Sequence, residues 1–129
     1  MLNIGTVFEV KEKVTENMTA KAVGSGDLRV LATPAMTALM EKAALMCVKS
    51  GLDDKEGTVG ISLNIRHIAP TPVGMEIICR ATLVQTDSRK LTFSLEAFDE
   101  KEKIGEGTHE RFIINNEKFQ NKCDGKINE

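Results

Sequence analysis

The segment TPAMTALMEKAALMCVK, residues 33–49, constrains the fold more than any other part of the chain. A hydroxyl residue followed by proline is typical of a helix start, which predicts Thr33 as N-cap and Pro34 at the first helical position. At about 100° per residue, Lys42 and Lys49 share one narrow polar stripe, and almost all other positions are apolar. A helix that is apolar nearly all round is expected to be enclosed by other elements.

The remainder of the chain predicts strands that would enclose this helix. One strand, over residues 7–15, precedes it, and a flexible Gly-Ser-Gly-Asp stretch lies at 24–27. Four strands joined by short turns follow the helix, over residues 58–68, 75–86, 90–99 and 103–115. This order predicts a single α+β domain over residues 1–129 with the hotdog fold, one long central helix wrapped by an antiparallel β-sheet. The polar tail after about residue 118 is expected to be frayed.

Composition excludes several classes of protein and site. The formal net charge of −2 provides no basic field to attract nucleic acid or an anionic membrane. No apolar run approaches the ~18 residues of a membrane-spanning helix, and the N-terminus lacks the pattern of a secretory signal. The three cysteines are widely spaced and form no CxxC pair, which argues against a zinc site or a disulfide framework. Free thiols in a reducing cytoplasm are therefore expected.

Two residues of the helix are candidates for chemistry, and each also has an ordinary structural explanation. Thr33 places a hydroxyl beside the free N–H groups and positive dipole end of a helix start, the donors that stabilise an oxyanion. Threonine is also a common N-cap for structural reasons alone. Glu41 has no cation one turn away on either side, and an isolated buried carboxylate is costly unless it is paired or protonated. Glu41 therefore lies at a cavity, has a specific partner, or is exposed at the helix edge.

Both histidines and one candidate arginine lie on the predicted strands. His67 continues the apolar alternation of residues 59–65, so it is predicted to face the helix and Glu41, where a carboxylate can fix the tautomer of an imidazole. The ordinary alternative is a core histidine with satisfied hydrogen bonds. His109 is expected to be a sheet or interface residue rather than a second base. Arg111 is a candidate anion-binding residue, with a surface ion pair as the alternative.

Three long segments of the chain carry a family resemblance. The chain resembles the fluoroacetyl-CoA thioesterase-type branch of the hotdog thioesterases over residues 5–120. The segments that carry the resemblance are ATPAMTALMEKAA, VGISLNIRHIAPTPVG and LTFSLEAFDEKEKIGEGTHERFII. The resemblance implies hydrolysis of a short- or medium-chain acyl-CoA thioester to the free acid and CoA. It places the family's catalytic set on Thr33, Glu41 and His67. Its substrate-binding glycine and arginine fall on Gly60 and Arg111.

The same resemblance implies the partners of the protein. CoA is part of the substrate rather than a cofactor, and no metal or redox cofactor is implied. A homodimer or a dimer of dimers is expected, because a small core with a long sheet favours pairing of two sheets. One departure concerns the acyl group. The fluoroacetyl-specific branch has a Phe-bearing lid segment before the helix, whereas Gly24, Ser25, Gly26 and Asp27 include no aromatic residue. Fluoroacetyl-CoA is therefore not the expected physiological substrate.

Two other functions and two chemical routes stay open at this point. A non-catalytic acyl-CoA-binding hotdog protein is the main alternative, although such a binder would have no need of the three catalytic residues. A hotdog enoyl-CoA hydratase or dehydratase ranks third, because no Asp and His occur at the short spacing expected after a strand. For a thioesterase, Glu41 or Thr33 attacks the carbonyl and forms an acyl-enzyme, or Glu41 and His67 activate water directly.

Overall fold

An antiparallel five-stranded sheet packs on one long helix in the computed structural model, which describes residues 2–128. The strands are β1 (Val7–Lys13), β2 (Glu56–His67), β3 (Glu76–Asp87), β4 (Lys90–Phe98) and β5 (Lys103–Asn115). The helices are α1 (Ala20–Val23), α2 (Thr33–Lys49) and α3 (Asn116–Asp124). The sheet order β1-β3-β4-β5-β2 leaves β1 and β2 at its edges. The predicted α+β arrangement of one long helix and an antiparallel sheet is confirmed.

The long helix α2 begins at Thr33, one residue earlier than the sequence predicted. Ala32 is the N-cap, Thr33 is already helical, and the Thr33 hydroxyl makes no capping hydrogen bond. The prediction of Thr33 as N-cap is therefore wrong, and its hydroxyl is free for another partner. The C-terminal end at Lys49, with Ser50 as C-cap, is as predicted. Within residues 2–128, no helix is long and apolar enough to cross a membrane.

The sheet covers α2 from one side only. The residues of α2 that are buried recur at helical spacing and form one stripe: Met36, Met40, Ala43, Ala44, Cys47 and Val48. They pack mainly with the inner face of β3, where Ile77 and Ala81 are fully buried. The opposite side of the helix leaves Leu45 37% exposed. The expected enclosure of an all-apolar helix is thus met on one side, and Leu45 on the other side is exposed.

A β-bulge in β2 decides which of its side chains face the helix. The pairing with β5 shifts between Gly60 and Ser62, so Ile61 is an extra residue without a partner. An extra residue reverses the alternation of the strand, because side chains change face at every residue. His67 faces the helix side as predicted. Residues 59 and 61 do not, which corrects the prediction that they share its face, and the helix-facing positions before the bulge are Thr58 and Gly60.

The C-terminal tail is helical rather than frayed. Helix α3 follows β5 directly, and the Asn115 side chain caps it by accepting a hydrogen bond from the Lys118 amide. A 3-10 turn over Gly125–Asn128 completes the described chain. The expectation of a frayed tail after residue 118 is wrong, and the Asn N-cap satisfies one first-turn amide of a polar helix that has no buried side chain.

Two glycines of β5 allow α2 and β2 to come close to this strand. Their substitutions are predicted to lower stability by different amounts. A Cβ on Gly105 would lie 2.7 Å from the Met36 sulfur, whereas one on Gly107 would lie 2.1 Å from the Asn64 carbonyl oxygen. Gly105→Ala is expected to cost about 1–3 kcal/mol, because a flexible thioether can move. Gly107→Ala is expected to cost more, because the β2 backbone must move.

Urea unfolding of the two variants beside Gly125→Ala measures this difference. Gly125 has a helical φ of −61°, and a Cβ added to it would meet no heavy atom within 4 Å, so its substitution is a matched control. An unfolding free energy for Gly107→Ala equal to that of Gly125→Ala would contradict the close approach of β2 and β5.

Candidate active site

A hydroxyl and an imidazole meet at the N-terminal end of α2. Thr33 Oγ1 lies 2.7 Å from His67 Nδ1, which joins the first residue of the helix to the last residue of β2. Burial lowers the pKa of His67 below its ordinary value of 6.5, and the Ala69 backbone offsets this only in part. His67 is therefore neutral at pH 7. Its Nε2 is buried and has no hydrogen-bond partner within residues 2–128.

A second group of polar side chains surrounds Gly60, two turns further along α2. Glu41 Oε2 lies 3.8 Å from Arg111 Nη1 and 3.9 Å from His109 Nε2. The Glu41 side chain is 42% exposed, whereas His109 and Arg111 are buried in the inner face of β5. A carboxylate at the surface thus lies over a buried guanidinium and a buried imidazole.

The tautomer of His109 follows from its two hydrogen bonds. His109 Nδ1 lies 2.8 Å from the Ser62 carbonyl oxygen, so Nδ1 carries a hydrogen and donates it. His109 Nε2 lies 3.1 Å from Arg111 Nη1, which has no lone pair to offer, so Nε2 accepts. Burial lowers the pKa of His109, and the Arg111 charge lowers it further, against opposing effects of the Ser62 carbonyl and Glu41. His109 is neutral at pH 7.

Arg111 is held by β2 as well as by His109. Its Nε donates to Thr58 Oγ1 at 2.8 Å and its Nη2 donates to the Thr58 carbonyl at 2.9 Å. Burial lowers the pKa of Arg111, and the charge of Glu41 offsets part of that effect. An arginine stays protonated in a protein, so a fixed positive charge lies beneath the Glu41 carboxylate.

The absence of a side chain at Gly60 lets these groups lie close to the β2 backbone. A Cβ at this position would lie 2.9 Å from Glu41 Oε2 and 3.1 Å from His109 Cε1. Any side chain on β2 here would displace the carboxylate or the imidazole. Thr58, which binds Arg111, also lines a cavity of about 210 Å³ together with Leu45, Lys49, Leu52, Glu56, Gly57 and Asn116.

The structure brings the predicted residues together as two groups rather than one. Thr33 pairs with His67, and Glu41 with Arg111 near Gly60, but the predicted pairing of Glu41 with His67 is not seen within the described residues. Thr33 and Glu41 are eight positions apart, which corresponds to about 12 Å along the helix axis.

The contribution of His109 was missed at the sequence level. Period-two alternation on β5 puts His109 on the same face as Arg111, and that signal would have placed it beside the predicted arginine.

Together these groups are suited to acyl transfer. A neutral imidazole against a hydroxyl provides a base and a nucleophile, and a carboxylate provides a second base or nucleophile. The first turn of α2 offers backbone N–H groups to an oxyanion. The buried guanidinium of Arg111 can bind an oxygen of a ligand.

Comparison with known proteins gives three similarities. The sequence matches the family of fluoroacetyl-CoA-specific thioesterases (FlK) over residues 14–117. It is 38% identical over 93 residues to the fluoroacetyl-CoA thioesterase of Streptantibioticus cattleyicolor. The aligned residues cover 72% of this chain and 67% of that protein. The structure superposes on a mutant of FlK in complex with fluoroacetate and CoA, with a TM-score of 0.87, 31% identity, and 92% and 99% of the two chains covered.

A thioesterase superfamily member from Thermus thermophilus is similar over a comparable length. The TM-score is 0.92 at 25% identity, with 99% of this chain and 95% of the other covered. The hotdog fold predicted from the order of helix and strands is confirmed by these neighbours.

Proton titration by NMR tests the electrostatics of the two groups. The chain has only two histidines, so His67→Gln assigns both Cε1–H signals. Both imidazoles are expected to titrate below 6.5, because burial disfavours their charged forms. The unfolded chain then binds more protons than the native one, so stability should fall as pH drops from 6.5 toward the native pKa values. A His67 pKa above 6.5 would contradict its burial against Thr33.

Proposed function

The chain belongs to the fluoroacetyl-CoA-specific thioesterase family, and we propose that it is an acyl-CoA thioesterase that hydrolyses a short- or medium-chain thioester to the free acid and CoA. The observation that carries the proposal is the Glu41 carboxylate held 3.8 Å from the buried Arg111 guanidinium above Gly60. A partly exposed carboxylate with a fixed cation beside it is suited to attack on a carbonyl or to activation of water.

In the proposed reaction, Thr33, Glu41 and His67 are catalytic and Gly60 and Arg111 bind substrate. The acyl C–S bond breaks, the hydroxyl of water is added to the acyl carbon, and a proton is delivered to the CoA thiolate. On one route, an oxygen of Glu41 or Thr33 attacks first and water then cleaves the acyl-enzyme. On the other, Glu41 and His67 activate water directly. Mass detection of an acyl adduct during a single turnover distinguishes the two routes.

The size of the acyl group is limited by the space beside the Thr33–His67 pair. Thr33 and His67 line a pocket of about 300 Å³, at the lower end of the ~300–1,000 Å³ of pockets for drug-sized ligands, which supports a short or medium chain. Residues 24–27, which contain no aromatic side chain, are exposed. We therefore propose that the physiological substrate carries an acyl group other than fluoroacetyl. The reaction needs no metal or redox cofactor, and the unpaired thiols of the three cysteines support a cytoplasmic location.

Release of CoA from a panel of acyl-CoA thioesters, followed with a thiol-reactive dye, tests the activity. Glu41→Gln is expected to lower kcat/KM by ~100-fold or more, the effect of losing a general base, with large losses also for His67→Ala and Thr33→Ala. Glu106→Gln is the matched control, because that carboxylate is bound to Lys103 on the outer face of the sheet. Tight binding of an acyl-CoA without cleavage by the wild type would favour a non-catalytic binder.

A homodimer joined along β2 is part of the same proposal. The unpaired edge of β2 exposes Gly60–Asn64 in one run, including Ile61 at 51% and Leu63 at 42% exposure. Exposed apolar side chains on an edge strand favour pairing with another strand, and a two-fold axis makes two copies of one strand antiparallel. The outward-facing Leu45 on α2 offers a second apolar contact for the partner.

Such a dimer would also solve the separation of the two groups. Antiparallel pairing centred between Leu63 and Asn64 would put His67 of one copy opposite Gly60 of the other. Thr33 and His67 of one copy would then act on the same carbonyl as Glu41 of its partner. We propose that each dimer has two sites of this composite kind, because ~12 Å along one helix is too far for Thr33 and Glu41 of one chain to contact one carbonyl.

Complementation between inactive variants tests the composite site. His67→Ala and Glu41→Gln chains with different tags are co-expressed, and the mixed dimer is isolated by purification on both tags. One of its two sites has no substitution, so about half of the wild-type activity is expected. Each single variant, purified in the same way as its own dimer, is the control. A mixed dimer as inactive as its parents would show that each chain has a complete site, and failure to co-purify would contradict the dimer.

A further inference from the structure

We propose that His109 is a positioning residue of the acyl-CoA site, whose neutral imidazole fixes the guanidinium of Arg111 beside Glu41 and ties it to the bulge of β2. This inference rests on the proposed thioesterase function of the same site. His109 contacts Arg111 and Ser62 directly, and it acts on substrate only through Arg111.

His109 connects two strands at the point where β2 is irregular. Its Nδ1–H donates to the Ser62 carbonyl at 2.8 Å, immediately after the bulge at Ile61. Its ring lies 6.1 Å from the Phe93 ring on β4, and the side chain is 1% exposed. The imidazole therefore has one orientation, with Nε2 aimed along β5 at Arg111.

The hydrogen bond to Arg111 requires a neutral His109. Arg111 Nη1 can only donate, so His109 Nε2 must accept at 3.1 Å. A proton on Nε2 would remove this acceptor and place two cations in contact. The charged groups that face the ring are Arg111 on its own strand and Glu41 on α2, since Ser62 of β2 and Phe93 of β4 are uncharged. Glu41 thus lies over one positive charge rather than two.

Arg111 has more N–H donors than its partners in the protein use. Of its five N–H groups, Nε is used by Thr58 Oγ1, one on Nη2 by the Thr58 carbonyl and one on Nη1 by His109. One hydrogen on Nη2 and one on Nη1 remain, and Nη1 lies 3.8 Å from Glu41 Oε2, which is longer than a hydrogen bond. The remaining Nη1 donor is free for an oxygen of the substrate, and His109 sets its direction.

A pair of amide substitutions separates the two hydrogen bonds of the imidazole. The amide of His109→Asn can replace the Nδ1 donor to Ser62 but does not reach Arg111. The longer side chain of His109→Gln can place its oxygen near the position of Nε2 and accept from Arg111. Loss of one hydrogen bond to a charged group is expected to lower kcat/KM by ~10- to 100-fold in His109→Asn, with most of the activity kept in His109→Gln.

A double-mutant cycle with Arg111→Lys identifies the residue through which His109 acts. If His109 works by positioning the guanidinium, His109→Asn should have almost no further effect in the Arg111→Lys background. Thermal unfolding is measured for every variant, and the two amides are expected to lose similar stability because both replace a buried ring. Equal losses of activity in His109→Asn and His109→Gln, or additive effects in the cycle, would reduce His109 to core packing and overturn the proposal.

Crystal structures of the two variants test the geometry without any substrate. Arg111 Nη1 is expected to move away from its position above Gly60 in His109→Asn and to stay in His109→Gln. An unmoved guanidinium in His109→Asn overturns the inference even if the protein is an active thioesterase. A wild type that cleaves no thioester, together with a displaced guanidinium, would instead overturn the proposed function and leave the positioning role of His109 supported.

Discussion

The close packing of α2 on the sheet is the contact on which the rest of the structure depends. It is possible because Gly105 of β5 and Gly60 of β2 have no side chains beneath the helix. Met36 and Met40 fill the space over the first glycine and join the core. Glu41, one residue after Met40, then lies over the second glycine and beside Arg111. The close approach that lets the core pack therefore also places a carboxylate on the exposed side of the polar residues around Gly60.

A buried arginine and a buried histidine on the inner face of a sheet need hydrogen-bond partners, since burying polar groups without partners is costly. Thr58 supplies a hydroxyl and a carbonyl to Arg111, and the bulge of β2 supplies the Ser62 carbonyl to His109. The irregular part of β2 is thus the part that satisfies the polar groups of β5. This explains why the bulge lies next to the candidate site rather than at the end of the strand.

The proposed homodimer accounts for both the separation of the two polar groups and the exposed edge of β2. In a single chain, the Thr33–His67 pair and the Glu41–Arg111 pair lie at different turns of the same helix. The strand between them is unpaired along its outer edge and carries exposed apolar side chains. A second copy would cover that edge, and it would also bring the missing group of side chains to each site.

The sequence by itself determined the five strands, the long helix α2 and their order, because helix starts, alternation and turn residues are local signals. The strand over residues 103–115, the end of α2 at Lys49 and the family were all predicted from it, and the activity class followed from the family. Only the tertiary structure decided which residues meet. The bulge at Ile61 changed the face of half a strand, and His109 rather than His67 became the imidazole beside Glu41. Such contacts depend on the register between distant strands, which a local pattern does not specify.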